Sequence, residues 1–450
     1  MGASLERLRQ DAVAIYRAAI AGVDPGPALG HALAATPPPE TVWLIAVGKA
    51  AEPMARSAVR HLARIDVPLL GGLVVTPDEG PAPDPRLLRI AGDHPVPGAG
   101  SFDAALALGE LTRGVTIHDE VWVLLSGGAS SLIGAPVDGL DPADYLAFVD
   151  TVGRAGLAIG ELNRVRKRFS RWGAGRLAAA LRAERIRVFA LSDVPGDRPE
   201  DIGSGPCEPD SSTAAHVRAI LESASLGEAL GAPARWLEEV ERGTRPETLK
   251  PGDSVFERRT TRVIGSNQVA LDHAAAGAIA LGYHVLRPAE PLEGEAAATG
   301  VRLGRRLREP PTEGPTAWLF GGETIVSLGG SRGRGGRAQE LALAVAGELA
   351  ARPDRAIVLL AAGTDGRDGP TDAAGALVDP TTWGAIASRG IDPARALAEH
   401  DAYPALDAAG ALFRPGPTGT NVMDVVIGLT AESREQRAQS RDQRAESGEQ

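Results

Sequence analysis

Only three lysines stand among the 47 basic residues of this chain, Lys49, Lys167 and Lys250, and only three asparagines occur, Asn163, Asn267 and Asn421. Lysine is a compact point charge and arginine a planar fork, so a chain this rich in arginine keeps a lysine most readily where the fork does not serve. Lys49 follows an apolar run in Val47-Gly48-Lys49-Ala50, and Asn163 and Lys167 share the basic segment Asn163-Arg164-Val165-Arg166-Lys167-Arg168. Such a run is either a solvated helix face or a binding site for an anion or substrate. The two rare residues inside it favour the second. Lys250, in a polar loop, carries no expectation.

The other polar candidates gather in small-residue loops behind apolar runs. Ser126-Gly127-Gly128-Ala129-Ser130-Ser131 could wrap an oxyanion, because glycines permit close backbone approach and N–H groups at a strand-to-helix turn point outward. A tight turn with a serine cap is the plainer alternative. Residues 329–337 (GGSRGRGGR) hold five glycines and three arginines, which suits either a lid clamping phosphates through Arg334 and Arg337 or a solvated loop. Asp193, Asp197, Asp365, Asp368, Asp372 and Asp424 sit in Gly/Pro-rich loops near strand ends, where a carboxylate can hold Mg²⁺, act as a general base or cap a turn. Gly265-Ser266-Asn267, Gly321-Gly322-Glu323-Thr324 and Ala362-Gly363-Thr364-Asp365 repeat the pattern. His94, in Gly92-Asp93-His94-Pro95, is either a substrate contact or a structural residue.

Those loops need a scaffold whose strand ends point one way. Apolar runs at 42–47, 70–75, 121–125, 188–191, 263–264, 317–320, 325–328, 357–361 and 425–427 read as strands, mostly continuous rather than alternating and so buried on both faces. Ala-rich segments with helical spacing at 5–21, 50–62, 101–112, 143–156, 217–223, 268–281 and 337–350 separate them. The alternation predicts an α/β fold with mainly parallel, helix-flanked sheets. The runs at 317–320 and 325–328 are close enough to read as an edge hairpin. The polar stretch 241–253 (ERGTRPETLKPGD), with two prolines, suggests a boundary, giving domains 1–245 and 246–431 and a charged tail at 432–450 that reads as disordered, where SREQRA recurs as SRDQRA.

Composition narrows the function. With 43% hydrophobic and 23% charged residues the chain can bury a large core. A net charge of −11 makes a poor partner for nucleic acid. One cysteine, Cys207, excludes internal disulfides and Cys-rich zinc sites and suits a reducing cytoplasm. No run of about 18 apolar residues marks a membrane span, and the N-terminus lacks the apolar core of a secretion signal. GxxxxGK[ST], HExxH, GxSxG and CxxC are missing, as is a GxGxxG that follows a strand and precedes an acidic residue at the dinucleotide spacing.

Taken together, VGKAAEPMA at 47–55, GDHPVP at 92–97, LLSGGASSL at 124–132, LNRVRKRFS at 162–170, LSDVPGD at 191–197, IGSGPCEPD at 202–210, GGETIV at 321–326, GRGGRAQELALA at 333–344, AAGTDGRDGPTDAAGA at 361–376 and GPTGTNVMD at 416–424 resemble the class II glycerate kinases, the glycerate 2-kinases with a MOFRL C-terminal domain. Arg168 departs from the histidine usual in that family, and the loop Thr76-Pro77-Asp78-Glu79-Gly80 lacks its usual basic and aromatic groups. The resemblance implies a Rossmann-like N-terminal kinase domain, a second α/β domain and an interdomain cleft, in which ATP with Mg²⁺ phosphorylates the 2-hydroxyl of D-glycerate to 2-phosphoglycerate. It implies Lys49 on the transferring phosphoryl group, Arg337 with Arg334 on transition-state charge, Arg166 and Lys167 on a carboxylate or phosphate, and Asp193 or Asp365 as base or metal ligand. Ser126, Gly127, Gly128, Ser130, Ser131, His94, Asn163, Asn267, Glu323, Thr364, Asn421 and Asp424 would complete the substrate and nucleotide sites. A monomer or homodimer in the cytoplasm is expected. The alternatives are a hydroxypyruvate reductase using NAD(P)H and a non-catalytic glycerate or nucleotide sensor.

Overall fold

A computed structural model describes residues 2–227, 230–309 and 314–431; the repeated tail at 432–450 lies outside the described residues. The chain forms two compact units, Pro25–Ser266 and a second in which residues 2–24 join the segment from Asn267 onward.

The first unit holds six parallel strands: β1 (Val42–Val47), β2 (Leu69–Thr76), β3 (Leu87–Ala91), β4 (Glu120–Leu125), β5 (Arg185–Leu191) and β6 (Arg259–Gly265), in spatial order β3-β2-β1-β4-β5-β6. That order is doubly wound, reversing between β1 and β4. Continuous apolar runs buried on both faces, as expected, explain the parallel pairing. Ile45, Val47, Val123 and Val188 enter the core on one face of the sheet, whereas Leu44, Ala46, Trp122 and Phe189 enter the core on the other. The expected boundary at residue 245 moves to 266, because β6 pairs along β5 and closes this sheet. A satellite helical core around Phe148, Phe169 and Trp236 completes the unit.

The second unit adds β7 (His284–Leu286), β8 (Thr316–Gly322), β9 (Ile357–Gly363), β10 (Gly375–Val378), β11 (Leu412–Phe413) and β12 (Asp424–Thr430), in spatial order β11-β10-β9-β12-β8-β7. Helices flank this sheet too, but its pairing differs from the first. Only β7 and β8 are parallel to each other; the other neighbours are antiparallel. The links from β9 to β10 and from β11 to β12 contain no helix, and a parallel return needs a crossover of about a dozen residues or more, normally helical. Residues 325–328 form no hairpin strand: Ile325 makes a single parallel bridge to Glu295.

The N-terminal helix (Gly2–Gly22) packs on the second sheet, not the first. Leu5, Leu8, Ala12, Ile15, Tyr16 and Ala19 recur at helical spacing and enter the core with Leu319, Val358 and Ile427. Each fully buried large apolar side chain in that stripe contributes about 1.5–3 kcal/mol. Arg9 fastens the helix further through two hydrogen bonds to Asp379, at 3.0 and 2.7 Å. Helix periodicity marks the buried face but not the sheet it meets, so the sequence reading assigned this helix to the wrong domain.

Candidate active site

In the first unit the candidates converge at the topological switch point, where ligands of doubly wound sheets bind. The loops after β1 and β4 are laced together by Lys49 N–H donating to Gly127 O (2.9 Å), Ser126 N–H to Val47 O (3.0 Å) and Ala50 N–H to Ser126 Oγ (3.0 Å). Gly128 is forced by its surroundings. Its φ is +87°, and a Cβ there would lie 2.9 Å from His94 Cδ2 and 3.7 Å from Lys49 Cγ. His94, Gly128 and Lys49 therefore meet at one point. Replacing Gly128 with alanine is expected to push the His94 ring aside and cost about 1–2 kcal/mol of stability. Thermal unfolding with and without nucleotide checks both effects; an unchanged melting temperature together with an unchanged nucleotide-induced shift would contradict them.

The serine hydroxyls do not all serve a ligand as expected. Ser126 is buried and accepts from Ala50, and Ser131 Oγ donates to Gly128 O (3.0 Å). Ser130 Oγ pairs at 2.8 Å with Ser204 Oγ, which joins this loop to the turn Ile202–Ser204. Asp193, after β5, lies within electrostatic reach of Lys49. Burial raises its carboxyl above the ordinary aspartate range, with its own backbone N–H and the Lys49 charge opposing the shift.

The basic segment forms the helix Ile159–Phe169, and it is not a solvated face. Lys167 is buried and donates to Glu200 O (2.8 Å) and Asp201 Oδ1 (3.1 Å), bracing the chain just before Ser204. Arg168 is fully buried, bonded to Glu247, Asp210, Ser212 O and Thr248. Lys250 joins the same network through Asp210 O (3.1 Å), Thr248 Oγ1 (2.8 Å) and Ser212 O. Thus Arg168 is a structural staple, and Lys250, given no role by sequence, is part of it. Arg166 is half-buried beside Tyr145, and burial lowers its pKa; Asn163 is half-buried on the same helix.

In the second unit Asp424 is the hub. It opens β12, and because β12 runs antiparallel its first residue lies opposite Gly322 and Gly363, at the carboxyl ends of β8 and β9. Arg337 grips it with two bonds, Nε to Oδ2 at 2.7 Å and Nη2 to Oδ1 at 3.0 Å, and Nη1 also bonds Glu323. Burial opposes the guanidinium charge, but the bonds to Asp424 and the charges of Asp424, Glu323 and Asp368 outweigh it and raise the pKa. A Cβ on Gly363 would lie 3.3 Å from Asp365 Oδ1 and 3.5 Å from Asp424 Oδ1, so the two carboxylates flank one small residue. Asn267 and Thr364 are scaffold. Asn267 Nδ2 donates to Val422 O (2.8 Å) and Asp424 O (2.9 Å), while Thr364 Oγ1 donates to Met423 O (2.7 Å) and accepts from Val422 N (2.8 Å). They fix the chain around Asn421 and Asp424. Arg334 stands apart from Arg337: it is exposed, its guanidinium 4.1 Å over the Tyr403 ring.

Sequence reasoning missed Tyr16 and left Asp368 only as one of several loop carboxylates. Tyr16 OH donates to Gly363 O (2.8 Å), and burial with the charges of Asp365 and Asp424 raises its pKa, so the hydroxyl keeps its proton. Nothing near Tyr16 in sequence marks it, since its partners lie on β9 and β12. Asp368 caps the helix Arg337–Leu349, accepting from Ala338 N (3.2 Å) and Gln339 N (2.8 Å). Burial, reinforced by Asp424, pushes its carboxyl up to about 7. The unfolded chain holds that proton only below about 4, so this group contributes stability below about 4 that is lost as pH rises through about 7. Asp368→Asn is expected to remove that part of the slope when melting temperature is measured between pH 4 and 8. Parallel wild-type and variant curves would count against the assignment.

One doubly wound and one mixed α/β unit, each with cations and carboxylates on glycine-rich loops at its strand ends, define a protein of the α/β class with the loop arrangement of a small-molecule site. Residues 11–237 match the family described as a domain of unknown function, DUF4147, and residues 316–424 match the MOFRL family. A D-glycerate 2-kinase from Thermotoga maritima is 36% identical over 432 residues, covering 94% of this chain and 99% of the relative. A glycerate 2-kinase from Pyrococcus horikoshii is 35% identical over 398 residues, covering 87% of this chain and 88% of the relative. The crystal structure of the glycerate kinase from Thermotoga maritima superposes with a TM-score of 0.82 at 35% identity, over 95% of this chain and all of the other, 100%. The chain belongs to the glycerate kinase family.

Proposed function

We propose that this protein is a glycerate 2-kinase, transferring the γ-phosphoryl group of ATP to the 2-hydroxyl of D-glycerate. The observation that carries the reading is Lys49, one of three lysines in the chain, at the β1/β4 switch point, beside Gly128 and in the field of Asp193. Phosphoryl transfer asks a protein mainly for positioning and for positive charge on the moving group. Lys49 supplies a compact charge next to a backbone that approaches closely. Within the second unit, Arg337 is a cation oriented by Asp424 and Glu323; by its chemistry each terminal nitrogen keeps a further N–H for an anion.

Asp193 suits the proton acceptor for the 2-hydroxyl, because burial has raised its affinity for a proton while Lys49 keeps the ionised form accessible. Among the described residues no group of three or more His, Cys, Asp or Glu is arranged to hold a metal unaided. Mg²⁺ is usually held by one or two carboxylates together with substrate phosphates, and Asp365, with Asp424 close by, fits that donor set. When bound, the ion would neutralise phosphate charge. Arg166 and Asn163 are the candidates for the glycerate carboxylate. Lys167, spent on Asp201 and Glu200, supports the Ser204–Ser130 contact instead.

Among the described residues no helix is long and apolar enough to cross a membrane; the single buried cysteine, Cys207, supports a cytoplasmic setting. The reductase alternative lacks a dinucleotide fingerprint at the switch point, where Gly48-Lys49 and Ser126–Ser131 stand instead. Incubation with γ-labelled ATP, D-glycerate and Mg²⁺ is expected to place label on glycerate. Oxidation of NADH with hydroxypyruvate and no labelled product would favour the reductase, and ligand-induced stabilisation without turnover would favour the sensor.

A further inference from the structure

The Gly/Arg loop does not hang free ahead of Arg337; it lies along a second segment, residues 399–403. Ser331 Oγ donates to Glu399 O, and Gly333 N–H donates to Ser331 Oγ (3.0 Å). Gly333 is packed so closely that a Cβ would lie 2.2 Å from Glu399 O and 2.5 Å from the His400 carbonyl. Arg334 N–H donates to Asp401 Oδ1 (2.7 Å), and Tyr403 N–H donates to Arg334 O (2.9 Å). The loop then passes Gly336, seated on Asp368, and becomes the helix that presents Arg337.

That platform contains a residue at odds with its local backbone. The helix Pro393–Ala398 ends in a Schellman turn, with His400 N–H donating to Leu397 O (3.3 Å) and Asp401 N–H to Ala396 O (2.8 Å). His400 occupies the left-handed position, φ +55°, where glycine is usual. A side chain kept at such a place needs a reason outside the turn. Its partner is Glu340: His400 Nδ1 lies 2.9 Å from Glu340 Oε2. Glu340 is 3% exposed, one turn into the helix that begins with Arg337. Burial raises the Glu340 carboxyl, the bond and charge of His400 lower it, and the Glu295 charge raises it again.

We propose that His400 and Glu340 are positioning residues for phosphoryl transfer: their bond ties the 399–403 platform, and with it the Gly/Arg loop, to the helix that carries Arg337. They touch no reacting atom and act through Arg337. The effect on catalysis rests on the kinase reading above; the clamp itself does not.

His400→Gly isolates the side chain, because glycine suits the left-handed backbone. His400→Asn tests rescue, since asparagine tolerates that conformation and can place an amide nitrogen where the imidazole Nδ1 stands. His400→Gly is expected to lower kcat about tenfold while KM for glycerate stays within twofold, as for a misplaced catalytic group. His400→Asn is expected to recover most of that loss. Trypsin cleavage after the exposed Arg332 and Arg334 is expected to run about fivefold faster in His400→Gly than in wild type, from local opening rather than global unfolding. That readout needs no activity, so it supports or overturns the clamp even if the protein is no kinase. Wild-type cleavage rates in His400→Gly would overturn the clamp. Faster cleavage with unchanged kcat, or equal losses of kcat and melting temperature in the Gly and Asn variants, would overturn the positioning role.

Discussion

Lys49→Ala is expected to lower kcat about 1,000-fold while the protein stays folded. A cation aimed at the transferring group in phosphoryl transfer is worth roughly 10³–10⁵ in rate, and nothing at this position compensates for its loss. The backbone N–H of residue 49, which bonds Gly127 O, is kept by the substitution, and melting temperature is expected to fall by no more than a few degrees. Lys49→Arg is expected to fail nearly as badly. Gly128, whose missing Cβ is the space between His94 and Lys49, leaves little room for a planar fork. Steady-state kinetics with thermal unfolding on both variants check the claim; a kcat within threefold of wild type in Lys49→Ala would remove Lys49 from the chemistry.

Arg337→Ala is expected to cost as much activity and also stability. Asp424 is 4% exposed and loses the two bonds that balance its charge. Stranding a buried carboxylate is expensive, but Arg337 is itself partly solvated, so about 2 kcal/mol is expected rather than the full penalty of a dry pair. The double variant Arg337→Met with Asp424→Asn separates the two effects. Removing both charges should restore most of the melting temperature and none of the turnover. Recovery of turnover in the double variant would mean that Arg337 serves only to neutralise Asp424.

Much of the first unit was legible because its signals are local. Continuous apolar runs gave strands β1, β4 and β5, and the loops behind them held Lys49, Ser126–Ser131 and Asp193. The second unit was less legible. Asp424 is the first residue of its strand rather than one that follows a strand, and only antiparallel pairing brings it beside Gly322 and Gly363. Strand direction is set by connection length and by which helices can cover the sheet, and a short apolar run does not encode it. β7, β10 and β11 are too short to stand out, and residues 325–328 look like a strand but meet only one bridging partner. The basic run at 163–168 misled in another way. Charge density marked it for an anion, yet two of its cations, Lys167 and Arg168, are buried on the protein's own carboxylates and carbonyls. Tyr16 and His400 act through partners far away in sequence, Gly363 and Glu340, and no pattern around either residue announces them.

The most direct test of the kinase reading is an assay with ATP, Mg²⁺ and D-glycerate in which product is consumed by enolase and no phosphoglycerate mutase is present. Enolase accepts only the 2-phosphate, so the signal reports both transfer and its position. The assignment predicts enolase turnover matching ADP release one for one, and loss of both in Lys49→Ala. ADP release with a silent enolase would contradict transfer to the 2-hydroxyl, and no ADP release at all would contradict the kinase.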